Sequence, residues 1–289
     1  MKVFLTILIT FGSLLGMFSC FTEDPIVPPP FPEGDLLAEE AQERLQSKEI
    51  EESIVLFTES IEENADFPLS RNNYLYRGIA YISHGEYDLA LNDFDDALNV
   101  SPNDPYVLAQ RGRLLLTYMD EHQLAIADLT EAISLSSRID EESREKVLSN
   151  IHRELADAYF IYGRTLYEQG QGADMLQKAL DEYSSVIELD SVNSLSHGQR
   201  GFIRWTYFSD DSNDEGAVNE SLEDATKAID YLEQDITAVE WPGNEVPENM
   251  IIQMRRWFAL RALIHQGLGN DEEYERDISV VEQLNEMIP

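Results

Sequence analysis

Histidine, serine and carboxylate side chains carry out most hydrolytic and metal chemistry. Their spacing in this sequence favours neither a hydrolytic site nor a metal site. The five histidines are dispersed, with no His-Glu-x-x-His pair: His84, His122, His152, His197 and His265. No Gly-x-Ser-x-Gly motif occurs, and the 56 acidic residues fit solvated helix surfaces better than an acid/base pair. We therefore expect no catalytic site and predict that the protein is not an enzyme.

One acidic segment has the residue types of a metal loop. From Asp211 to Gly216 it resembles the start of an EF-hand calcium loop, with oxygen side chains at alternate positions and a glycine sixth. The twelfth position, which should be a bidentate Glu, is Leu222. The second glycine-containing segment, Gly170 to Gly172, lacks the Gly-Lys-Ser/Thr of a phosphate loop. We expect surface loops at both places, with no metal and no cofactor.

The only cysteine, Cys20, follows Lys2 and an apolar run of about fifteen residues that is typical of a secretory signal. The Ser19-Cys20 end of this run resembles the lipobox of bacterial lipoproteins. That resemblance implies a signal peptide at residues 1–19, cleavage before Cys20 and lipidation of Cys20, which would anchor the chain to a membrane. The alternatives are an ordinary secretory signal cleaved elsewhere and an uncleaved anchor.

Residues 20–34 form a proline-rich segment. Five prolines lie between Pro25 and Pro32, a density that excludes a helix and favours extended polyproline backbone. At about 3.1 Å per residue, the segment would be a tether reaching roughly 40 Å. It would separate the membrane anchor from the part of the chain that folds.

The charge of the chain is strongly acidic, with 56 Asp and Glu against 20 Lys and Arg and a net charge of -36. Binding to nucleic acid through its phosphates is therefore excluded, because that binding requires a basic surface. The acidity has two interpretations that the sequence leaves open: a solvated, salt-adapted exterior, or a face for basic partners.

From residue 74 to residue 102, large and small apolar residues recur at helical spacing, stop at Gly85 and resume. The pattern predicts two short antiparallel helices, with Tyr74, Gly78 and Tyr81 on the first and Ala90, Phe94 and Ala97 on the second. The same spacing, ending at Pro102, resembles the tetratricopeptide repeat (TPR). This resemblance implies that each helix pair stacks on the next.

The rest of the chain from Asp35 repeats this pattern, with insertions between helices rather than within them. We predict an all-α fold, a right-handed TPR superhelical solenoid of about six helix pairs over residues 35–289. The predicted repeats are 35–67, 71–104, 105–137, 141–193, 194–235 and 247–289. The outer repeats are expected to be capping repeats.

An arginine precedes the small residue of the first helix in four repeats, and an aspartate precedes the core position of the second helix. The separations of 16, 17, 24 and 16 residues differ only by the insertions between the two helices. We therefore predict structural salt bridges within four repeats: Arg77 to Asp93, Arg111 to Asp128, Arg200 to Asp224 and Arg261 to Asp277. A groove lined by arginines for an acidic ligand is the competing interpretation.

The TPR resemblance also implies a ligand-binding concave face, lined by the first helix of each pair. The matching positions are Asn72, Tyr76, Ile79, Tyr106, Gln110, Arg113, Ile161, Arg164, Tyr167, Gln199, Phe202 and Trp205. This mixture of aromatic, amide and basic side chains suits a peptide or protein segment. The competing interpretation is that several of these aromatic residues belong to the core between repeats.

The layout resembles TPR lipoproteins such as the NlpI-type envelope adaptors. It implies a non-catalytic protein–protein interaction scaffold, lipid-anchored in the bacterial cell envelope, at the outer membrane and facing the periplasm or the cell surface. The alternative is a solute- or glycan-binding surface lipoprotein, which would gather several exposed Trp or Tyr rings in one cleft. The partner and the oligomeric state do not follow from the sequence.

Overall fold

The computed structural model describes residues 36–63, 70–209, 215–238 and 246–287. Within these ranges the chain forms twelve α-helices and no β-strand, which confirms the all-α prediction. Cys20, the proline-rich tether and residues 211–214 of the acidic loop lie outside the described residues. No helix in the described ranges is both long and apolar enough to cross a membrane.

The helices follow one another as six consecutive pairs. In chain order they are α1 (Leu36–Gln46), α2 (Ile50–Glu63), α3 (Ser70–His84), α4 (Tyr87–Val100), α5 (Pro105–Tyr118), α6 (His122–Ser134), α7 (Arg144–Tyr167), α8 (Ala173–Leu189), α9 (Ser194–Ile203), α10 (Glu215–Ala238), α11 (Glu248–Leu268) and α12 (Asp271–Glu286). A 3₁₀ turn at Ser136–Arg138 precedes α7, and a π-helical segment at Arg204–Phe208 continues α9. The sequence pattern did not predict this π-helical segment.

The ends of the helices are specified locally. Gly85 and Gly269 follow α3 and α11 with φ of +86° and +73°, a conformation that glycine adopts without a steric cost. After each glycine, the next amide donates to a carbonyl five residues earlier and closes the helix end: Glu86 to Tyr81 at 2.9 Å and Asn270 to His265 at 2.9 Å. At the start of α5, Asp104 caps the helix and Pro105 occupies its first position.

Close packing inside a pair depends on the small residue of the TPR pattern. A Cβ atom at Gly78 would lie 2.6 Å from the ring of Phe94, so the two helices approach closely only because position 78 has no side chain. In the third pair, a Cβ atom at Gly112 would likewise lie 2.8 Å from the side chain of Leu129. Ala90 and Ala97, both fully buried, give the same close approach from the second helix.

The described residues form two compact units, which divide between Ile161 and Tyr162. The first has a core of fully buried residues that includes Leu75, Phe94, Leu114, Leu129 and Ile151. The largest buried side chains of the second are Trp257, Tyr183 and Leu176. Each unit therefore has its own hydrophobic core, built from residues that the helical periodicity places on one face.

Candidate interaction face

Each predicted arginine–aspartate pair is in contact within its repeat. Arg77 donates from Nε to Oδ2 of Asp93 at 2.9 Å and from Nη2 to Oδ1 at 2.7 Å. This bidentate geometry matches the planar guanidinium to the two oxygens of the carboxylate. The other three pairs have the same geometry, at 2.7 and 2.9 Å for Arg111 and Asp128, 2.9 and 2.7 Å for Arg200 and Asp224, and 2.8 and 2.8 Å for Arg261 and Asp277.

The remaining guanidinium nitrogen of three of these arginines reaches the second helix of the preceding pair, a contact that the sequence pattern did not predict. Its partners are Thr58 for Arg77 at 3.0 Å, Asp95 for Arg111 at 2.6 Å and Ser184 for Arg200 at 3.0 Å. Each partner directly follows a large aromatic residue of the second-helix core, at Phe57, Phe94 and Tyr183. A polar residue directly after this aromatic residue is therefore the sequence signal that would identify the second partner of the arginine.

These contacts bind the arginines into the framework of the protein. Hydrogen bonding to Asp128 raises the pKa of Arg111, and this effect is larger than the lowering that the burial of Arg111 causes. Burial alone would lower the pKa of Arg77, but its hydrogen bonds and charge interaction with Asp93 raise it. The four arginines are therefore committed to holding helices together, and a groove lined by free arginines does not form at these positions.

Five residues assigned to the concave face are buried: Tyr76, Tyr106, Gln110, Gln199 and Phe202. Tyr76, for example, stacks on Phe57 with ring centroids 6.1 Å apart, and its hydroxyl accepts a hydrogen bond from Gln42 at 3.3 Å. Burial raises the pKa of Tyr76 to about 12. Tyr76 thus packs between helices, and the burial of the other four likewise keeps them from forming an open surface.

The other seven assigned residues retain solvent access. Asn72, Ile79, Arg113 and Ile161 belong to the first unit, and Arg164, Tyr167 and Trp205 belong to the second. Arg113 differs from the arginines described above, since its half-buried side chain makes no hydrogen bond or ion pair with any described residue. An accessible guanidinium of this kind can receive a carboxylate or a carbonyl from outside the chain.

The accessible rings of the second unit contact different neighbours. Tyr167 meets Tyr207 edge to face, with centroids 4.9 Å apart, and burial raises the pKa of Tyr207 to about 12. Trp205 instead packs on Gly267, where a Cβ atom would lie 2.5 Å from its ring. The π-helical segment thus directs Trp205 and Tyr207 to separate helices, α11 and α7, and does not stack them together.

Charge is divided between the first and second helices of the pairs. The first helices, with the π-helical segment, carry 14 Lys and Arg and 7 Asp and Glu, a net charge of +7. The second helices carry 3 Lys and Arg and 29 Asp and Glu, a net charge of -26. The second helices therefore carry much of the acidity, and within each unit the first helices repel a partner's carboxylates less than the second helices do.

No protein-family model matches the chain. Among solved structures, it is similar to MamA (residue 41 to the end) of Desulfovibrio magneticus RS-1, with a TM-score of 0.52 and 19% identity over 71% of this chain and 98% of that chain. PilW, described as a widely conserved type IV pilus biogenesis factor, gives a TM-score of 0.60 and 11% identity over 87% of this chain and 94% of PilW. PilF of Pseudomonas aeruginosa gives a TM-score of 0.57 and 11% identity over 86% of this chain and 90% of PilF.

One curated protein is also similar in sequence. The mitochondrial import receptor subunit TOM70 of Homo sapiens is 24% identical over 192 residues, which are 57% of this chain and 29% of the receptor. The chain thus spans less than a third of that receptor. These proteins have TPR folds, and the fold of this chain is that of TPR proteins.

Proposed function

We propose that the protein is a non-catalytic interaction scaffold of the bacterial cell envelope. It holds a segment of a partner protein against the accessible residues of its first helices. The TPR fold supports this proposal, because stacked helix pairs present long surfaces to extended partners. The half-exposed side chains of α3, α5 and α7 in the first unit provide the contacts.

The observation that carries the proposal is the unpaired guanidinium of Arg113. In a chain with 56 carboxylates, the arginines of the four predicted pairs each bind an aspartate, whereas Arg113 pairs with no described residue. Asn72 and Ile79 lie on α3, at the second and ninth positions of the repeat 71–104. Arg113 is at the ninth position of the next repeat, 105–137, and is therefore equivalent to Ile79. Together they offer an amide, an aliphatic side chain and a cation, which suits a peptide with both polar and apolar groups.

The envelope location depends on Cys20 and the apolar run that precedes it. Lipidation of Cys20 and the proline-rich tether would hold the solenoid away from the bilayer surface. This arrangement would leave the first helices accessible to a partner in the same compartment. Replacing Cys20 with Ser should release the protein from the membrane fraction, and retention of C20S in that fraction would contradict lipid anchoring.

The test of the scaffold is crosslinking and co-purification of the full-length protein from its own membranes. Arg113→Glu reverses the charge at the proposed contact, and Arg276→Glu makes the same change on an exposed position of α12 as a matched control. We expect the wild type and the Arg276→Glu variant to recover the same partner and Arg113→Glu to lose it. The circular dichroism spectra and melting temperatures of the three proteins should agree.

Two other results would contradict parts of the proposal. If the Arg113→Glu variant also recovers the partner, the interface lies on another surface of the protein. Failure of the wild type to recover any protein would reject the scaffold function, and screening against glycans and small solutes would then test the alternative function. Binding of a glycan by the wild type, lost on replacing Tyr167 with Ser, would support that alternative.

A further inference from the structure

The second helices of the first unit, α2, α4 and α6, carry charge of one sign only. They contain 11 Asp and Glu and neither Lys nor Arg, whereas the second helices of the other unit include Lys178, Lys227 and Arg276. Carboxylates alone would fit a solvated exterior, which is one of the two interpretations that the sequence leaves open. The apolar side chains on α2, α4 and α6 distinguish between the two interpretations.

Three large apolar side chains of these helices face solvent. Leu89 of α4 is 43% exposed and Leu124 of α6 is 55% exposed. Each leucine directly precedes the fully buried small residue of its helix, Ala90 or Ala125, so the two leucines occupy equivalent positions in successive repeats. Val55, which is 55% exposed, lies on α2 about one turn further along the same pattern. A single exposed apolar residue is ordinary, but packing does not require one on each of three consecutive second helices.

An exposed carboxylate accompanies each of these side chains. Glu59, Asp96 and Glu131 lie two residues after the core residue of their helix and make no ion pair with any residue that the structure describes. On α4 and α6 the carboxylate follows the leucine by seven residues, and on α2 Glu59 follows Val55 by four. Both spacings place the apolar and the acidic side chain on one side of the helix.

The arginines of the first helices fix the order of these second helices. Arg77 donates to Thr58 of α2 at 3.0 Å as well as to Asp93 of α4 at 2.7 Å. Arg111 likewise donates to Asp95 of α4 and to its own aspartate on α6. The three second helices are therefore tied to one another in sequence order, and their exposed residues follow one another along the same side of the first unit.

The charge of Asp96 is already felt inside the protein. Burial is the main effect that raises the pKa of Asp93, the contact with Arg77 lowers it, and the negative charge of Asp96 raises it further. Asp96 thus repels a neighbouring carboxylate. A cation beside Asp96 would offset that repulsion.

A groove beside Val55 has the same combination of apolar and acidic groups. It is lined by the apolar residues Val55 and Leu56 and by four charged residues of α1 and α2: Glu40, Arg44, Glu51 and Glu52. Three carboxylates thus stand against one guanidinium, which is already paired with Glu40 and Glu52. Such a lining suits a Lys or Arg side chain, because its aliphatic stem packs on apolar surface while its charged end stays among carboxylates.

We propose that this side of the first unit binds a cationic amphipathic segment of another protein, in which Lys or Arg residues are interspersed with apolar ones. The apolar–acidic face consists of six residues: Val55, Leu89, Leu124, Glu59, Asp96 and Glu131. Apolar side chains of the segment cover the exposed valine and leucines, and its cations pair with the carboxylates. Charge complementarity selects this occupant, because helices without Lys or Arg repel an acidic segment. The face does not include Arg113, and the proposal does not rest on the scaffold function.

Binding of a synthetic amphipathic peptide of Lys and Leu to the full-length protein tests the proposal. The fluorescence anisotropy of the dye-labelled peptide measures the Kd. Leu89→Ser with Leu124→Ser removes two apolar contacts, and Asp96→Lys with Glu131→Lys reverses two charges. We expect each double variant to weaken binding at least about tenfold, because the segment needs both kinds of contact.

Matched controls come from the second unit. Leu268→Ser with Val192→Ser replaces side chains that are 43% and 55% exposed, the same exposures as those of Leu89 and Leu124. Glu275→Lys with Glu282→Lys changes the net charge by the same amount as the reversal on α4 and α6, at exposed positions of α12. Both control variants should bind the peptide within about twofold of the wild type, because exposed sites away from the face contribute little.

Three results would overturn the proposal. The first is failure of the wild type to bind the Lys–Leu peptide. The second is equal affinity for a Lys–Ser peptide of the same charge, because the exposed apolar side chains would then have no role. The third is an equal loss of binding in the face variants and the controls, which would reflect net charge alone. Circular dichroism checks that the variants fold, and the wild type's preference between the two peptides decides the question if one does not.

Discussion

The indole of Trp257 lies directly against the backbone of Gly198. A Cβ atom at position 198 would come within 2.4 Å of the ring, and a reciprocal contact places Trp205 over Gly267. Each of the two chain segments, α9 with its π-helical continuation and α11, thus presents a glycine to a tryptophan of the other. The contact fixes the spacing of two successive first helices in the second unit.

This relationship predicts that Gly198→Ala is destabilising, although alanine favours helices more than glycine does. The methyl group must displace the fully buried Trp257, and overpacking of this kind costs about 1–3 kcal/mol. The free energy of unfolding in urea measures the loss. Ser279→Ala, at an exposed position of α12, should change it by less than about 0.5 kcal/mol. Equal stability of Gly198→Ala and the wild type would show that the packing yields without cost.

The arginine–aspartate pairs predict a large difference between buried and exposed ion pairs. Asp93→Ala leaves the guanidinium of Arg77 without its carboxylate in a site where both side chains are mostly buried, at a cost of about 3 kcal/mol. Glu40→Ala breaks the exposed pair with Arg44 and should change the stability far less, because water screens this pair. Chemical denaturation of both variants checks the comparison, and similar losses would contradict it.

The lowered pKa of Asp224 predicts how stability depends on acidity. The folded pKa lies below the ordinary value of 3.8, so ionised Asp224 stabilises the folded state fully above that value. This stabilisation is lost as the pH falls through the folded pKa. Unfolding free energies measured from neutral pH to about pH 2 should fall steeply below the ordinary value, and Asp224→Asn should reduce the slope of that fall. An unchanged slope would assign acid unfolding to other carboxylates.

Tyr76, which is buried, and Tyr207, which is partly buried, predict a late step in alkaline titration. The pKa values of Tyr76 and Tyr207 are raised to about 12 from an ordinary value of 10, mainly because burial disfavours the charged tyrosinate. The ultraviolet absorbance of tyrosinate should therefore show a step near pH 12 from these two groups. Tyr76→Phe and Tyr207→Phe should each reduce the amplitude of that step. The absence of an absorbance change near pH 12 would contradict the raised pKa values.

Local chemistry in the sequence determined the helix pairs. The glycines after α3 and α11, the Asp104-Pro105 start of α5 and the alternation of small and large residues act within one or two turns of the chain. The spacing of Arg77 from Asp93, and its recurrence in three other repeats, likewise follows from the length of two helices and a turn. Such features depend on neighbours in sequence, so they can be deduced without coordinates.

The tertiary structure decided what depends on contacts between pairs. It buried Tyr76 and Gln199, left Arg113 without a partner in the described chain, and brought His197 and Arg204 to the aspartate of Arg200. Helical periodicity identifies the face on which a side chain lies but not the residue that covers it from the next pair. Burial and charge pairing in this protein are set by that neighbour, because a first helix packs against helices of the adjacent pair as well as against its own partner helix.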